Sequence, residues 1–180
     1  IEGEAAFYGP KLDFMFKDAL GRERQLATAQ LDFMQPERFE LEYTDNEGKK
    51  QRPVMIHRAI AGSLERFMGI IIEHFAGNFP LWLSPVQMAV ISVAESHIEY
   101  AREVAATLRT AGFRVSLDES NESMGKKIRA AKKGKLPYFV VIGDKEVSSK
   151  TVTLESRDTG ESSEHTIAEL LEKITTEVNV

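Results

Sequence analysis

Three short segments bring together side chains able to do chemistry. In FYGPKLDF, residues 7–14, Gly9 and Pro10 make a tight turn that carries Tyr8 and Lys11 into a strand. The same residues also serve a plain hairpin entry with a surface lysine and a half-buried tyrosine. In QLATAQLD, residues 25–32, one strand displays Gln25, Thr28, Gln30 and Asp32. Several uncharged donors and acceptors on one side suit a small-molecule pocket, where a few placed polar groups fix orientation in an otherwise apolar wall; exposure to solvent accounts for them equally well. Thr28, Gln30 and Asp32 share a face, whereas Gln25 needs a bulge or a second edge to join them.

The third segment, HRAIAGSLERF, residues 57–67, is the most specific. Gly62 and Ser63 are poor choices inside a helix, glycine costing roughly 1 kcal/mol relative to alanine, so a helix that keeps them has a reason such as close approach of a ligand or a neighbouring strand. Arg66 follows one turn on, and its planar guanidinium can fork onto phosphate oxygens better than a lysine. The plainer reading is an i,i+4 pair on a solvated face. A fourth feature is charge: MGKKIRAAKKGK, residues 124–135, holds Lys126, Lys127, Arg129, Lys132, Lys133 and Lys135 with no acid among them.

The elements that must position these groups follow from periodicity. KLDFMFKDA alternates with a period of two, Gly21 marks a turn, and ERQLATAQLDFM continues the period, which predicts an antiparallel pair. TDNEGKK is a polar turn, and RPVMI is a short extended segment. From His57 to His74 the period becomes 3.6, with Ile60, Leu64, Phe67, Met68, Ile71 and Phe75 on one stripe, which predicts a helix ending at Gly77. NFPLWLSP, with Pro80 and Pro85, reads as a linker. Beyond it come strand VQMAVISV, a helix through SHIEYAREVAATLRTAG with Ser96 as N-cap and Gly112 as its stop, and strand FRVSLD, a parallel pair with its crossover. A basic helix over Ser123–Lys133, strands PYFVVIG and KTVTLESR, and a closing helix Thr166–Val178 complete an α/β unit.

Composition bounds the function. The 180 residues suit two small domains, and 42% hydrophobic with 28% charged residues is ordinary globular composition. Cysteine is absent, so disulfides and a cysteine-based zinc site cannot come from this chain alone, and a reducing compartment is the natural setting. The apolar runs at Met68–Ile72 and Phe139–Ile142 fall far short of the about 20 residues that span a bilayer, so a soluble protein is expected. A net charge of −5 argues against indiscriminate coating of nucleic acid, the basic run apart. The start at Ile1, Glu2 and Glu4 lacks both an initiator Met and a signal-peptide pattern, and reads as part of something longer.

The segments FYGPK, TAQLDF, PVMIHRAIAGSLERF, FAGNFPLWLSPVQ and GDKEV occur in an order that resembles the C-terminal part of the threonyl-tRNA synthetase family, within class II aminoacyl-tRNA synthetases. The resemblance runs essentially end to end. HRAIAGSLERF resembles class II motif 3, whose Gly-x-x-x-Arg core recurs as Gly62 and Arg66, and the flanking VMIH narrows it to the threonyl branch. It implies the end of a class II catalytic core over residues 1–78, a partial antiparallel sheet with the motif 3 helix, and a mixed-sheet α/β anticodon-binding domain over 79–180. It implies a threonine–tRNA ligase using ATP with Mg²⁺, L-threonine and tRNA(Thr), homodimeric at full length and cytoplasmic, with no membrane or DNA partner.

By the same resemblance Arg66 would hold the γ-phosphate side of a bent ATP, Gln25 and Thr28 would meet the nucleotide, and Lys11 would lie beside the reacting groups. Tyr8 and Gln30 would line the threonine pocket, and Ser63 is a candidate for its wall. His57 would be one of three protein ligands to a zinc ion that grips threonine's amino and hydroxyl groups; the other two, with motifs 1 and 2, are missing here, so the isolated chain is expected to be inactive. Lys126, Lys127, Arg129, Lys132, Lys133 and Lys135 would face the anticodon stem, with Asn121, Arg129 and Glu146 reading bases. Glu155 stands where the family often has an arginine and would repel RNA, with Arg157 as a substitute contact.

Two other readings compete. A non-catalytic, synthetase-like RNA-binding or regulatory protein would tend to lose the ATP arginine and the metal histidine, yet Arg66 and His57 are both in place. A stand-alone nucleotide-binding domain lacks any Gly-rich phosphate loop, since neither GxGxxG nor GxxxxGK[ST] occurs.

Overall fold

The computed structural model describes residues 6–178, so Ile1, Glu2 and Glu4 lie outside the described residues. The chain forms two compact units, Ile1–Phe75 and Ala76–Val180.

In the first unit, β1 (Lys11–Lys17) and β2 (Glu23–Asp32) pair antiparallel, followed by a short helix α1 (Met34–Arg38) and a two-residue hairpin of β3 (Tyr43–Thr44) and β4 (Lys50–Gln51) around the TDNEGKK turn. β5 (Met55–Ala59) then pairs with β2, giving a three-stranded sheet in the order β1-β2-β5, and α2 (Leu64–His74) closes the unit. The helix predicted from His57 therefore starts later: residues 55–59 are strand. Their backbone pairs with β2, and the chain reaches α2 through Gly62, at φ +61°, and Ser63, whose hydroxyl accepts from the Arg66 N–H at 3.3 Å as N-cap. The 3.6-residue stripe is real only from Leu64 onward, because tertiary pairing claims the residues before it.

The β1–β2 turn is held by Asp18. Its Oδ1 accepts from the N–H groups of Leu20 at 3.0 Å and Arg22 at 2.9 Å, and its Oδ2 from the Nε atoms of Arg22 at 2.7 Å and Arg24 at 3.3 Å. Burial by itself would raise this carboxyl, but these donors outweigh it and lower it to about 2. Ionised Asp18 thus stabilises the fold in full above the unfolded carboxylate value of about 3.9, and the contribution is lost as pH falls through the folded value of about 2. Asp18→Asn is expected to flatten the acid limb of thermal unfolding between about pH 4 and pH 2; a parental pH profile would remove Asp18 from that role.

The second unit is a five-stranded mixed sheet. β6 (Met88–Ser92), a 3₁₀ turn at Glu95–His97, α3 (Ile98–Thr110) and β7 (Val115–Asp118) form the expected parallel crossover. α4 (Met124–Lys133) leads to β8 (Tyr138–Ile142), which lies parallel to β6 on its other side. α5 (Asp144–Ser149), β9 (Thr151–Ser156), β10 (Ser162–Thr166) and α6 (Ile167–Val178) follow, and the strand order is β10-β9-β8-β6-β7. All five residues of β6 are buried, as a central strand with both faces covered requires. On one face Met88, Val90, Val140 and Leu154 pack with Val104, Leu108, Leu170 and Ile174; on the other, Ala89, Ile91 and Phe139 pack with Ala131 and Ile128.

Three expectations change here. Ser96 sits inside the 3₁₀ turn and does not cap α3, although Gly112, at φ +93°, does follow its end. The segment read as a linker is stitched into the unit: Leu81 and Ser84 are buried, Gln87 Nε2 donates to Leu81 O at 3.0 Å, and Arg114 donates to Ser84 O and Trp82 O, both at 2.9 Å. α5 and β10 went unread because a six-residue helix and the strand SSEHT carry no apolar periodicity.

Candidate functional site

One face of the three-stranded sheet gathers the polar side chains of the first unit. Lys11, Gln30 and His57 lie in one cross-strand row, and Asp13 and Thr28 in the next. The register of β1 against β2 slips between Phe14 and Met15, which pair with Ala27 and Gln25, so Leu26 is the extra residue of a bulge. That bulge brings Gln25 onto the face of Thr28: its Nε2 donates to Asp13 Oδ1 at 2.6 Å and to Thr28 Oγ1 at 2.8 Å, and Thr28 Oγ1 donates to Asp13 Oδ1 at 2.8 Å. Lys11 Nζ pairs with Asp13 Oδ2 at 2.8 Å. The Lys11 ammonium, then Thr28, lower the Asp13 carboxyl.

Tyr8 reaches the same face because Gly9 lets its loop lie against β2; a Cβ at Gly9 would fall 2.4 Å from Leu31 O. The Tyr8 hydroxyl donates to Gln30 Oε1 at 3.1 Å, and its ring stands 6.3 Å from the His57 ring, edge to face. His57 Nε2 bonds Asp32 Oδ2 at 2.9 Å, and Asp32 Oδ1 accepts from Met34 N and Gln35 N at 2.9 Å each. The Gln35 N–H above all, with His57 and the Met34 N–H, lowers Asp32, which is 1% exposed. With Nε2 turned to this carboxylate, Nδ1 is the ring nitrogen with no hydrogen-bond partner among the described residues. Asp13 is the residue that sequence reasoning passed over as a site group, and its signal was its place two residues from Lys11 on one strand face; Asp32 was read as part of the polar face but not as the partner of His57.

Gly62 explains the placement of Arg66. A Cβ there would fall 2.6 Å from Leu26 O, the bulge carbonyl, so only glycine lets the start of α2 come this close to β2, and the same point is 3.8 Å from Arg66 Nη2. Arg66 is exposed and has no ion-pair partner among the described residues; positions 62 and 70, four residues away, are Gly and Ile, so no helical pair holds it. Ser63 is engaged locally, donating to Glu65 Oε2 at 2.8 Å. Among the described residues no group of three His, Cys, Asp or Glu could hold a metal ion; His57 is a single donor backed by Asp32. His74 stacks against Phe16 and Phe75, His97 is buried between Ala94 N and Asp144, and His165 bonds Ser163 at 2.7 Å, all outside this face.

In the second unit the basic run divides. Lys126 is exposed and pairs with Glu122 at 2.6 Å; Lys132 pairs with Glu155 at 2.8 Å, which neutralises the acid expected to repel RNA; Lys135 donates to Ala76 O. Lys127 corrects the expectation of an outward row: it is 4% exposed and its ammonium points inward. Arg129 and Lys133 remain exposed with no ion pair among the described residues. Arg157 is spent on Asp158 and on the carbonyls of Phe79 at 3.1 Å and Lys135 at 3.0 Å. Glu146 is 8% exposed with both oxygens committed, to Gly143 N at 2.8 Å and Thr153 Oγ1 at 2.7 Å. Burial raises its carboxyl, and these bonds outweigh it, so the net shift is downward. Asn121 is exposed, and its side chain has no hydrogen-bond partner among the described residues. No helix among the described residues is long and apolar enough to cross a membrane.

Comparison with known proteins fits both units. Residues 1–75 match the class II tRNA synthetase core domain (G, H, P, S and T), and residues 87–177 match the anticodon binding domain. A threonine–tRNA ligase of Carboxydothermus hydrogenoformans is 51% identical over 98% of this chain and 28% of its own length; that of Protochlamydia amoebophila is 53% identical over 96% of this chain and 27% of its own. The chain thus spans little more than a quarter of the curated relatives it matches. The crystal structure of the RNA binding domain of threonyl-tRNA synthetase from Cryptosporidium parvum superposes with a TM-score of 0.90 at 46% identity, covering 97% of this chain and 44% of that one. The chain belongs to the threonyl-tRNA synthetase family of class II aminoacyl-tRNA synthetases, with the end of the class II core followed by an anticodon-binding domain.

Proposed function

We propose that this chain serves a threonine–tRNA ligase, supplying one wall of the amino-acid activation site and the module that grips tRNA(Thr). The carboxylate of L-threonine attacks the α-phosphorus of ATP, pyrophosphate leaves, and a hydroxyl of the tRNA's terminal ribose then displaces AMP from the threonyl-adenylate. The observation that carries this reading is the polar face shared by Tyr8, Lys11, Asp13, Gln25, Thr28, Gln30, Asp32 and His57, with Gly62 held close to β2 and Arg66 one helical turn on from it. On this reading Gln25 and Thr28 hold the nucleotide, Tyr8 and Gln30 hold threonine with Ser63 at the pocket wall, Lys11 sits beside the reacting groups, and Arg66 takes the γ-phosphate with its Mg²⁺. Fixed donors around developing phosphate charge cost no reorganisation at the moment of reaction. Catalysis then takes place in a cytoplasmic homodimer.

Among the described residues the available donors do not complete a zinc site. His57 would hold zinc through Nδ1, with Asp32 orienting the ring and the other ligands outside the described residues. A zinc ion there would require the side-chain hydroxyl and so reject valine, which an apolar pocket separates from threonine poorly. The test is ATP–pyrophosphate exchange by the complete polypeptide: exchange is expected with threonine and at least 100-fold less with valine, roughly the margin such a polar requirement sets. Valine supporting exchange at the threonine rate would overturn the assignment. Metal analysis of His57→Ala is expected to show lost zinc, and undiminished zinc would end its role as a ligand.

A further inference from the structure

The strand order of the second unit reverses around β6: the chain leaves it for β7 on one side and returns as β8 on the other. The crevice at the carboxyl ends of such strands is where open α/β sheets bind ligands. Here it is a cavity of about 210 Å³ whose rim includes Glu95, Glu119, Asn121 and Glu122, with Lys127 among its walls. The Lys127 ammonium donates to Ser92 O at 3.0 Å, and to Ser92 Oγ and Asp118 O at 3.4 Å each. Those oxygens belong to the last residues of β6 and β7. Among the described residues no carboxylate pairs with this buried ammonium, a costly arrangement unless its hydrogen bonds do something else. What they do is clamp two strand ends together at the root of the 119–123 loop. From there Asp118 Oδ1 accepts from Ser120 N at 2.9 Å and Ser120 Oγ at 2.6 Å, and Arg102 fixes Glu119 at 2.5 and 3.1 Å. The loop is tied at both of these points, and the Asn121 amide has no hydrogen-bond partner among the described residues.

We propose that Lys127 is a positioning residue for RNA recognition: it contacts no phosphate, but sets the crevice and the Asn121 loop whose free amide meets the RNA. This rests on the reading that the second unit grips tRNA. A phosphate-binding lysine would be exposed, as Lys126 is, and the carboxylates at the crevice rim make it a poor seat for phosphate.

The test uses the full chain with a tRNA(Thr) transcript and the same transcript carrying one changed anticodon base, measured across salt concentrations. Lys127→Met is expected to weaken binding of the matched transcript by about tenfold and to erase discrimination between the two, with the salt slope unchanged. Lys126→Met is expected to keep discrimination while lowering the slope by about one. Ser92→Ala alters the same clamp without touching any surface charge, and is expected to reduce discrimination too. A Lys127→Met protein with full discrimination, or with a slope lowered by about one, overturns the proposal. Where Lys127→Met fails to fold by circular dichroism, full discrimination by Ser92→Ala overturns it instead. Parent protein that binds neither transcript, or both alike, defeats the underlying tRNA reading and is thereby told apart.

Discussion

Arg66→Ala, made in the complete polypeptide, is expected to lower threonine-dependent pyrophosphate exchange by about 10³-fold, the scale on which a single preorganised charge donor acts in acyl and phosphoryl transfer. Arg66 is presented by backbone contacts, not by a charged partner. It has no carboxylate one helical turn away and no ion pair among the described residues, so its charge is available to a ligand. What does hold it is backbone: the Ser63 cap on its own N–H and the approach of Gly62 to the β2 bulge. A guanidinium presented from a fixed helix start binds two phosphate oxygens at once, which a lysine cannot, so Arg66→Lys is expected to recover little of the rate. Binding of tRNA is expected to stay at the parental level, since the proposed function gives that role to the second unit. Exchange at the parental rate in Arg66→Ala would remove the residue from the nucleotide site.

Gly62→Ala is expected to damage both the stability of the first unit and the presentation of Arg66. The backbone at φ +61° is left-handed, costing an alanine about 1–2 kcal/mol, and its methyl would stand 2.6 Å from Leu26 O, a backbone atom that cannot step aside as a flexible side chain can. Relief requires the start of α2 to move off β2, which shifts Arg66 with it. Two measurements check this: a lower midpoint of thermal unfolding for the first unit, and exchange reduced as severely as in Arg66→Ala. A Gly62→Ala protein with parental stability and exchange would show that this close approach is unimportant. The bulge and the glycine thus form one device: the residue that swings Gln25 into the site also presents the carbonyl that only glycine can approach.

Much of this fold was legible from local pattern. The alternation of KLDFMFK, the polar turn with Asn46 and Gly48, the apolar MAVIS strand, the amphipathic helix before Gly112 and the basic helix after Ser123 all appear close to where they were read. The face shared by Thr28, Gln30 and Asp32 was also visible, as was the need for a bulge at Gln25. Illegible were the elements whose form depends on a distant partner. Residues 55–59 fit the helical stripe that follows them, but β2 claims them as a strand. NFPLWLSP looks like a linker by its prolines, yet Gln87 and Arg114 bind it into the second unit.

Composition, period and motif order determine which elements form, where they break and which family they belong to, because each of these records spacing within a few residues of the chain. Direction is another matter. Six cations in one short basic run look alike in sequence, and only tertiary structure turns Lys127 inward to the carbonyls of Ser92 and Asp118 while Arg129 and Lys133 stay outside. Likewise His57 is a lone imidazole until Asp32, 25 positions earlier, takes its Nε2. The physical reason is that a side chain's partner is fixed by which strands and helices pack together, and that choice is settled by burial across the whole unit, not by neighbours in sequence.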